Sequence, residues 1–331
     1  MDLAAMKSVE EILDGFDPVL SGRIVKALDL LRIQARGAER LREGVRTIIK
    51  ADRSPVTIAD LLHQSQLQHM LAREFPADGL ISEEPHSLQV QVIEEAVRAS
   101  AEFYGVALEA EVIELPESGE VVWIFDPIDG TKGYLAGRYY AIALGFFRQG
   151  EPVFGAMAVP ARPAGQPLRI GGALAFAVRG GGAWVEHGGA EVPRTFERIH
   201  NEAAEFTKPL RVAVSLEHGN THGRFEQGGE AVPVKLDSQA KYLAVALGEL
   251  DIYLRERRKD GHPDVMWDHM PGALIAAEAG CTVCQFDGGP IEFAPRSVIR
   301  FDEGFVCHRG ECGGQIHRWV GEFLGHRSES A

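Results

Sequence analysis

The segment WIFDPIDGTKG at residues 123–133 limits what this chain can fold into more than any other stretch. Trp123, Ile124 and Phe125 form a short apolar run of the kind that fills a buried strand, so Asp126 falls at or just past its end. Pro127 turns Asp126 away from helical backbone, and Asp129-Gly130 is a turn dipeptide. The two carboxylates therefore stand on a sharp turn, with the Ile128 carbonyl between them. Such a turn can offer hard oxygen ligands to one or two cations. Gly130 tolerates backbone angles closed to other residues, which lets the amides of Gly130 and Thr131 face an anion such as a phosphate oxygen. Taken locally, a strand followed by a solvated loop explains the same residues equally well.

Three further acidic contexts matter because a magnesium site draws carboxylates from several elements. With 48 acidic residues in the chain, a single one carries little information, and only its surroundings can raise it above a surface charge. DRSPVTIAD at 52–60 packs Asp52 and Asp60 into the entry of a helix, where capping by Thr57 and Asp60 is the simpler explanation. ISEEP at 81–85 runs an apolar stretch directly into Glu83 and Glu84. MWDHMPGALIAAEAG at 266–280 places Asp268 at the start of an apolar helix, where capping is again the economical reading.

The remaining pattern is helix first and strand later. Residues 18–50 carry Leu, Ile, Val and Ala at helical spacing, a second helix follows Pro55, and a third covers 87–104. Residues 139–160 and 173–186 read as two hairpins, the second turning on Gly180, Gly181 and Gly182. A polar stretch spans 187–208; strands at 211–215, 251–255 and 281–286 then alternate with helices near 238–248 and 268–279. This order predicts an α+β / α/β chain: N-terminal helices plus an antiparallel sheet (1–208), followed by a smaller α/β half (209–331). The net charge of −14 disfavours long nucleic acid as a partner, although bound cations would still admit a small anion. No apolar run approaches the roughly 18–20 residues of a membrane helix, and the N-terminus is acidic with no signal-peptide pattern, so a cytoplasmic protein is expected.

In order and spacing, the four acidic contexts resemble the lithium-sensitive, magnesium-dependent phosphatases that include inositol monophosphatase and fructose-1,6-bisphosphatase. The pattern D-P-[IL]-D-G-[ST] is intact as Asp126 to Thr131, and Trp267-Asp268, Gly272 and Glu278-Ala279-Gly280 match the later motif. The resemblance implies a layered α/β/α/β/α sandwich and two or three Mg²⁺ held by Glu83, Asp126, the Ile128 carbonyl, Asp129 and Asp268. It also implies a water oriented by Thr131 with Asp52, with Asp60 as a second candidate for that relay, and inhibition by Li⁺.

Within the superfamily the chain looks most like the 3′(2′),5′-bisphosphate nucleotidases. D-x-S-P-V-T-x-A-D, Lys132 after Gly-Thr, and LDSQAKYLAVALGELDIYLR at 236–255 carry that likeness. It implies substrate contacts from Gly130, Thr131, His218, Ser238, Lys241 and Arg255, with the last two gripping the phosphate that is not cleaved. Surface salt bridges are the alternative for that pair. The expected reaction converts adenosine 3′,5′-bisphosphate, or its sulfated analogue, to AMP or the corresponding sulfate. The alternative is an inositol phosphate or polyphosphate phosphatase, in either case a monomer or homodimer acting on a small phosphorylated molecule.

The chain departs from the family at Cys281, where a second Gly is usual, and in the stretches 187–208 and 220–232. Cys281-x-x-Cys284 and Cys307-x4-Cys312, with His308 and His317 nearby, suggest zinc and a structural or interaction module instead. Residues i and i+3 of a strand, however, point to opposite faces. Because Cys281 to Cys284 reads as strand, buried free thiols are the expectation there.

Overall fold

The computed structural model describes residues 6–42, 46–50, 55–105, 107–109, 111–165, 168–187, 195–201, 209–215, 230–257, 263–310 and 314–324. The chain opens with β1 (Lys7–Ser8), a single turn α1 (Val9–Ile12) and the long helix α2 (Pro18–Leu41). It continues through β2 (Thr47–Ile49), β3 (Pro55–Thr57), α3 (Ile58–Glu74), β4 (Gly79–Ser82) and α4 (His86–Ala99), which runs into a wider turn at Ser100–Tyr104. Then come β5 (Val121–Asp129), the short helix α5 (Thr131–Leu135), β6 (Ala141–Arg148), β7 (Glu151–Val159), β8 (Ala173–Val178), β9 (Gly182–His187) and β10 (Thr195–Ile199). Eight of these strands form one sheet in the order β1-β10-β9-β8-β7-β6-β5-β4. Every pairing in it is antiparallel except β4 with β5, whose connection passes through α4.

The second half contains β11 (Leu210–Val214), β12 (Ala231–Lys235), α6 (Ala240–Ala246), β13 (Ile252–Glu256), β14 (Asp264–Val265), α7 (Met270–Glu278), β15 (Thr282–Gln285), β16 (Val298–Ile299), β17 (Gly304–His308) and α8 (Gln315–Leu324). A mixed five-stranded sheet runs β12-β11-β13-β17-β15. Pro233 is accommodated because β12 lies at the edge, where a missing amide donor is tolerated.

The alternation along β5 shows how the layers form. Trp123 and Phe125 join one core with Ile24, Leu28 and Leu31 of α2 and Leu61 and Leu62 of α3. Ile124 faces the other way, into a core that holds Tyr242 of α6, Ile275 of α7, and Tyr253 and Phe305 of the second sheet. A third core on the far side of that sheet packs Ile252, Leu254 and Val306 against Val320 of α8. The result is the α/β/α/β/α sandwich. The change of sheet comes between Ile199 and Leu210, and the middle core is common to both sheets.

Two elements differ from expectation. The helix predicted over 18–50 stops at Leu41, and β-branched Thr47, Ile48 and Ile49 pair with β3 instead. The polar stretch 187–208 contains β10, which joins β9 to β1 at the sheet edge. Among the described residues no helix is long and apolar enough to cross a membrane.

Candidate active site

β5 does not end near Asp126 but runs on to Asp129, and the ladder it forms with β6 breaks between those two residues. Asp126 pairs with Ala143 and Asp129 with Ala141, so one extra residue is accommodated on β5 as a bulge around Pro127, which has no amide hydrogen to give. His63 of α3 supports it from below. Its Nδ1 donates to the Pro127 carbonyl at 3.0 Å while Nε2 accepts from the Tyr104 hydroxyl at 2.9 Å. Burial lowers the His63 pKa to about 4, which keeps the ring neutral in this role. Gly130 adopts φ +86° to start α5, and a Cβ on Gly133 would sit 2.7 Å from the Tyr139 carbonyl oxygen, which accounts for both glycines of the motif.

Asp126, Asp129 and Asp268 each bring a carboxylate oxygen to within 4.8 Å of the others, and Asp60, Glu83 and Glu84 form a second such group. The two groups feel one another. Burial, then repulsion from Glu83, Asp129, Asp268 and Asp60, holds the Asp126 pKa well above the usual carboxylate range. Burial pushes Asp268 up to about 8, with repulsion from Asp129 adding to it. Asp129 rises to about 6, again through burial, with Lys241 and Gln239 opposing. Asp60 and Glu84 rise to about 7 and about 8 by burial and by repulsion from Glu83. Asp60 Oδ1, Glu84 Oε2 and Asp126 Oδ1 are buried with no hydrogen-bond partner in the structure. Crowded carboxylates with bare oxygens are what a divalent, oxygen-seeking cation would neutralise, so the residues present fit magnesium.

Neighbouring groups fix these carboxylates in place. Lys50 Nζ bonds Glu83 and Glu84, each at 3.0 Å. The Gln64 amide donates to the Glu84 carbonyl at 2.5 Å and accepts from its amide at 3.1 Å, which sets the turn after β4. Gln239 links three segments. Its amide donates to Asp129 Oδ2 at 2.6 Å, its side chain donates to the Trp267 carbonyl at 2.8 Å, and it accepts from the Gly272 amide at 3.0 Å.

Asp60 does close a capping box with Thr57, as the simpler reading had it, accepting from the Thr57 amide at 2.7 Å and hydroxyl at 2.6 Å. Its second oxygen is nonetheless buried with no hydrogen-bond partner, and the carboxylate belongs to the acidic group with Glu83 and Glu84. The capping explanation does not hold for Asp268, which ends a tight turn at Met266–Asp268; α7 begins after His269 with no side-chain cap. The Thr131 hydroxyl donates to the Ile128 carbonyl at 3.1 Å.

Ser238 has φ +63° and adjoins Gly130, where a Cβ would lie 3.3 Å from its own. Lys241 is buried with Nζ donating to the Leu236 carbonyl at 3.2 Å; burial, with Arg255 nearby, lowers its pKa to about 8 against the pull of Asp129. Arg255 is paired with Asp264 through Nε at 2.8 Å and a terminal nitrogen at 2.5 Å. Asp52, His218 and Cys312 lie outside the described residues. Lys50, His63, Gln64 and Gln239 were not anticipated as site residues. The one available signal was the polar run His63 to Gln66 on α3, which stays buried instead of facing water.

The sequence profile of the inositol monophosphatase family matches residues 24–311. A probable 3′(2′),5′-bisphosphate nucleotidase 4 of Arabidopsis thaliana is 31% identical over 293 residues, covering 80% of this chain and 83% of the relative. A 3′(2′),5′-bisphosphate nucleotidase of Oryza sativa is 30% identical over 331 aligned residues, covering 90% and 92%. Among solved structures, a Thermotoga maritima IMPase superposes with a TM-score of 0.65 at 20% identity, covering 92% of this chain and 98% of that one. CysQ from Bacteroides thetaiotaomicron, a bacterial member of the inositol monophosphatase family, gives 0.61 at 20% identity, covering 88% and 98%.

Proposed function

The chain belongs to the inositol monophosphatase family, and from that premise we propose that it is a magnesium-dependent phosphatase that takes the 3′-phosphate from adenosine 3′,5′-bisphosphate and leaves AMP. The observation that carries the chemistry is the convergence of Asp126, Asp129 and Asp268 beside Asp60, Glu83 and Glu84, with bare oxygens among them. The substrate reading is supported by relatives named bisphosphate nucleotidases at 30% and 31% identity over most of the chain.

Glu83, Asp126, the Ile128 carbonyl, Asp129 and Asp268 would hold two or three Mg²⁺, and Li⁺ would inhibit. A magnesium ion held there would lower the pKa of a water and offset charge on the phosphoryl oxygens. The amides of Gly130 and Thr131, at the turn where φ of Gly130 is +86°, orient a phosphate oxygen. Thr131 and Asp52 orient the attacking water, and Asp60, with its pKa raised to about 7, is the second candidate to take its proton. The water oxygen bonds to phosphorus as the bond to the 3′-oxygen breaks in line, with no covalent phosphoenzyme, and the departing 3′-oxygen takes up a proton from solvent to become the hydroxyl of AMP. Lys241 and Arg255 supply positive charge for the remaining phosphate, and Ser238 and His218 complete the substrate contacts.

A second reading rests on Arg255. Its charge is already matched by Asp264, which weakens its hold on a second phosphate and suits a singly phosphorylated inositol. Magnesium-dependent phosphate release from adenosine 3′,5′-bisphosphate and from inositol 1-phosphate, measured side by side, decides between them. The nucleotide is expected to be the faster substrate. Hydrolysis of the inositol phosphate alone would overturn the substrate reading, and hydrolysis of neither would overturn the phosphatase.

A further inference from the structure

The outer face of the second sheet carries a third group of metal-type donors, unrelated to the two of carboxylates. The alternation expected of a strand separates Cys281 from Cys284. Cys281 and Cys307 enter the middle core, whereas Cys284 faces the outer one. The spacing C-x-x-C therefore makes no site. The strand pairing makes a different one. β15 and β17 are antiparallel with Cys284 opposite Val306 and Thr282 opposite His308, so Cys284 and His308 are diagonal neighbours on one face. His317, on the first turns of α8, comes down on the same spot with Nδ1 3.8 Å from Cys284 Sγ. One donor atom from each of Cys284, His308 and His317 lies within 4.8 Å of the other two.

The state of His308 indicates what this group is for. A carbonyl only accepts, so the 2.8 Å contact with the Arg309 carbonyl fixes the proton on His308 Nδ1. Nε2 then carries the lone pair, and it is buried with no hydrogen-bond partner on a side chain of zero exposure. An orphaned imidazole lone pair in an interior is costly. A ring nitrogen held by a carbonyl while the other is left open is also how metal-binding histidines are oriented. Burial lowers the His308 pKa, which favours the neutral ring that ligation requires. Zinc bonded to sulfur at about 2.3 Å and to nitrogen at about 2.0–2.1 Å in a tetrahedron separates its ligand atoms by roughly 3.3–3.7 Å. The observed sulfur–nitrogen distance is already close to that.

We propose that Cys284, His308 and His317 bind one Zn²⁺, with water in the fourth position, and that the ion fastens α8 to the second sheet. On binding, the Cys284 thiol releases its proton to solvent and both imidazoles coordinate as neutral bases. A thiolate with two imidazoles prefers zinc or cobalt to magnesium, which keeps this site distinct from the carboxylates.

The test uses the full-length protein, reduced and dialysed against buffer stripped of zinc and other transition metals but containing excess Mg²⁺, and reads zinc content and cobalt spectra. About one zinc per chain is expected to remain, and Co²⁺ is expected to give a thiolate-to-cobalt charge-transfer band, which carboxylate-bound cobalt does not show. Cys284→Ser should abolish the band, and His317→Asn, at the more accessible edge, should weaken zinc binding at least about tenfold. Both variants should keep Mg²⁺-dependent phosphate release within about twofold, since neither residue touches the carboxylates. Two results would overturn the proposal: a wild-type protein that takes up no zinc and shows no band on titration, or a Cys284→Ser protein that keeps both. Should Cys284→Ser fail to fold, the wild-type titration together with His317→Asn still decides.

Discussion

The two donor groups differ in chemistry and in how the chain makes them. The carboxylates are hard and crowded, and most come from short motifs at the ends of strands: Asp126 and Asp129 on one bulged turn, Glu83 just after β4. Cys284, His308 and His317 are softer donors brought together by strand register and a terminal helix, with no motif among them. A bulge and a turn write their site into consecutive residues. Register writes its site into residues that are distant in sequence and adjacent only after folding. The comparison also separates two uses of a cation: relief of repulsion that would otherwise strain the interior, and a crosslink between elements that are packed in any case.

The sharpest way to break the contrast is Asp126→Asn. It removes a carboxylate repelled by Glu83, Asp129, Asp268 and Asp60. Phosphate release should fall by more than about 100-fold, beyond the range seen for groups that merely support a ligand. The metal-free protein should melt at the same or a higher temperature, because like charges have been thinned. Unchanged turnover would remove the active-site assignment, and a large fall in melting temperature would make Asp126 a structural residue instead.

Gln239→Ala tests the supports rather than the ligands. The variant loses the side-chain bonds to Trp267 and Gly272 but keeps the backbone bond to Asp129. The magnesium concentration for half-maximal activity should rise by about 10-fold or more, with a smaller change in rate at saturating metal. An equal fall in rate at every magnesium concentration would contradict a positioning role. Lys241→Met should have a smaller and more selective effect. The KM for adenosine 3′,5′-bisphosphate should rise about 10-fold, worth about 1.4 kcal/mol, while 3′-AMP, which lacks the second phosphate, is hydrolysed as before. Equal losses on both substrates would assign Lys241 to the scissile phosphate or to the core.

The layered fold was legible because burial on both faces of β5 and the hairpin turns at Gly180 to Gly182 leave local marks. Most of the carboxylates were legible for the same reason, lying where an apolar strand ends or a helix opens, whereas Asp268 ends a tight turn before α7. Lys50, His63, Gln64 and Gln239 were not, because each acts through hydrogen bonds or ion pairs to residues distant in sequence. Arg255 shows the limit from the other side: the motif named the residue, but only the folded chain shows Asp264 already paired with it. Cys284 and His308 needed the register of β15 on β17, and alternation alone could say only that Cys284 and Cys281 part company.

The smallest effect expected is on stability, and its sign separates repulsion from crosslinking. Asp60, Glu84 and Asp268 have folded pKa values near 7, 8 and 8, against ordinary values of 3.8, 4.5 and 3.8. Between those limits the folded protein binds more protons than the unfolded chain, so stability contributed by the protonated forms is lost as pH rises. In chelator, the melting temperature should therefore drop from about pH 5.5 to about pH 8 by about 2 °C or more, since 1 kcal/mol is worth about 2–4 °C in a chain somewhat shorter than this one. Magnesium competes with those protons, so the rise in melting temperature on adding it should be larger at the higher pH. The opposite slope in chelator, or a magnesium effect that ignores pH, would mean that the carboxylates are already neutralised by protein groups such as Lys50 and Lys241. In that case the acidic pocket would be a structural network with no call for a metal.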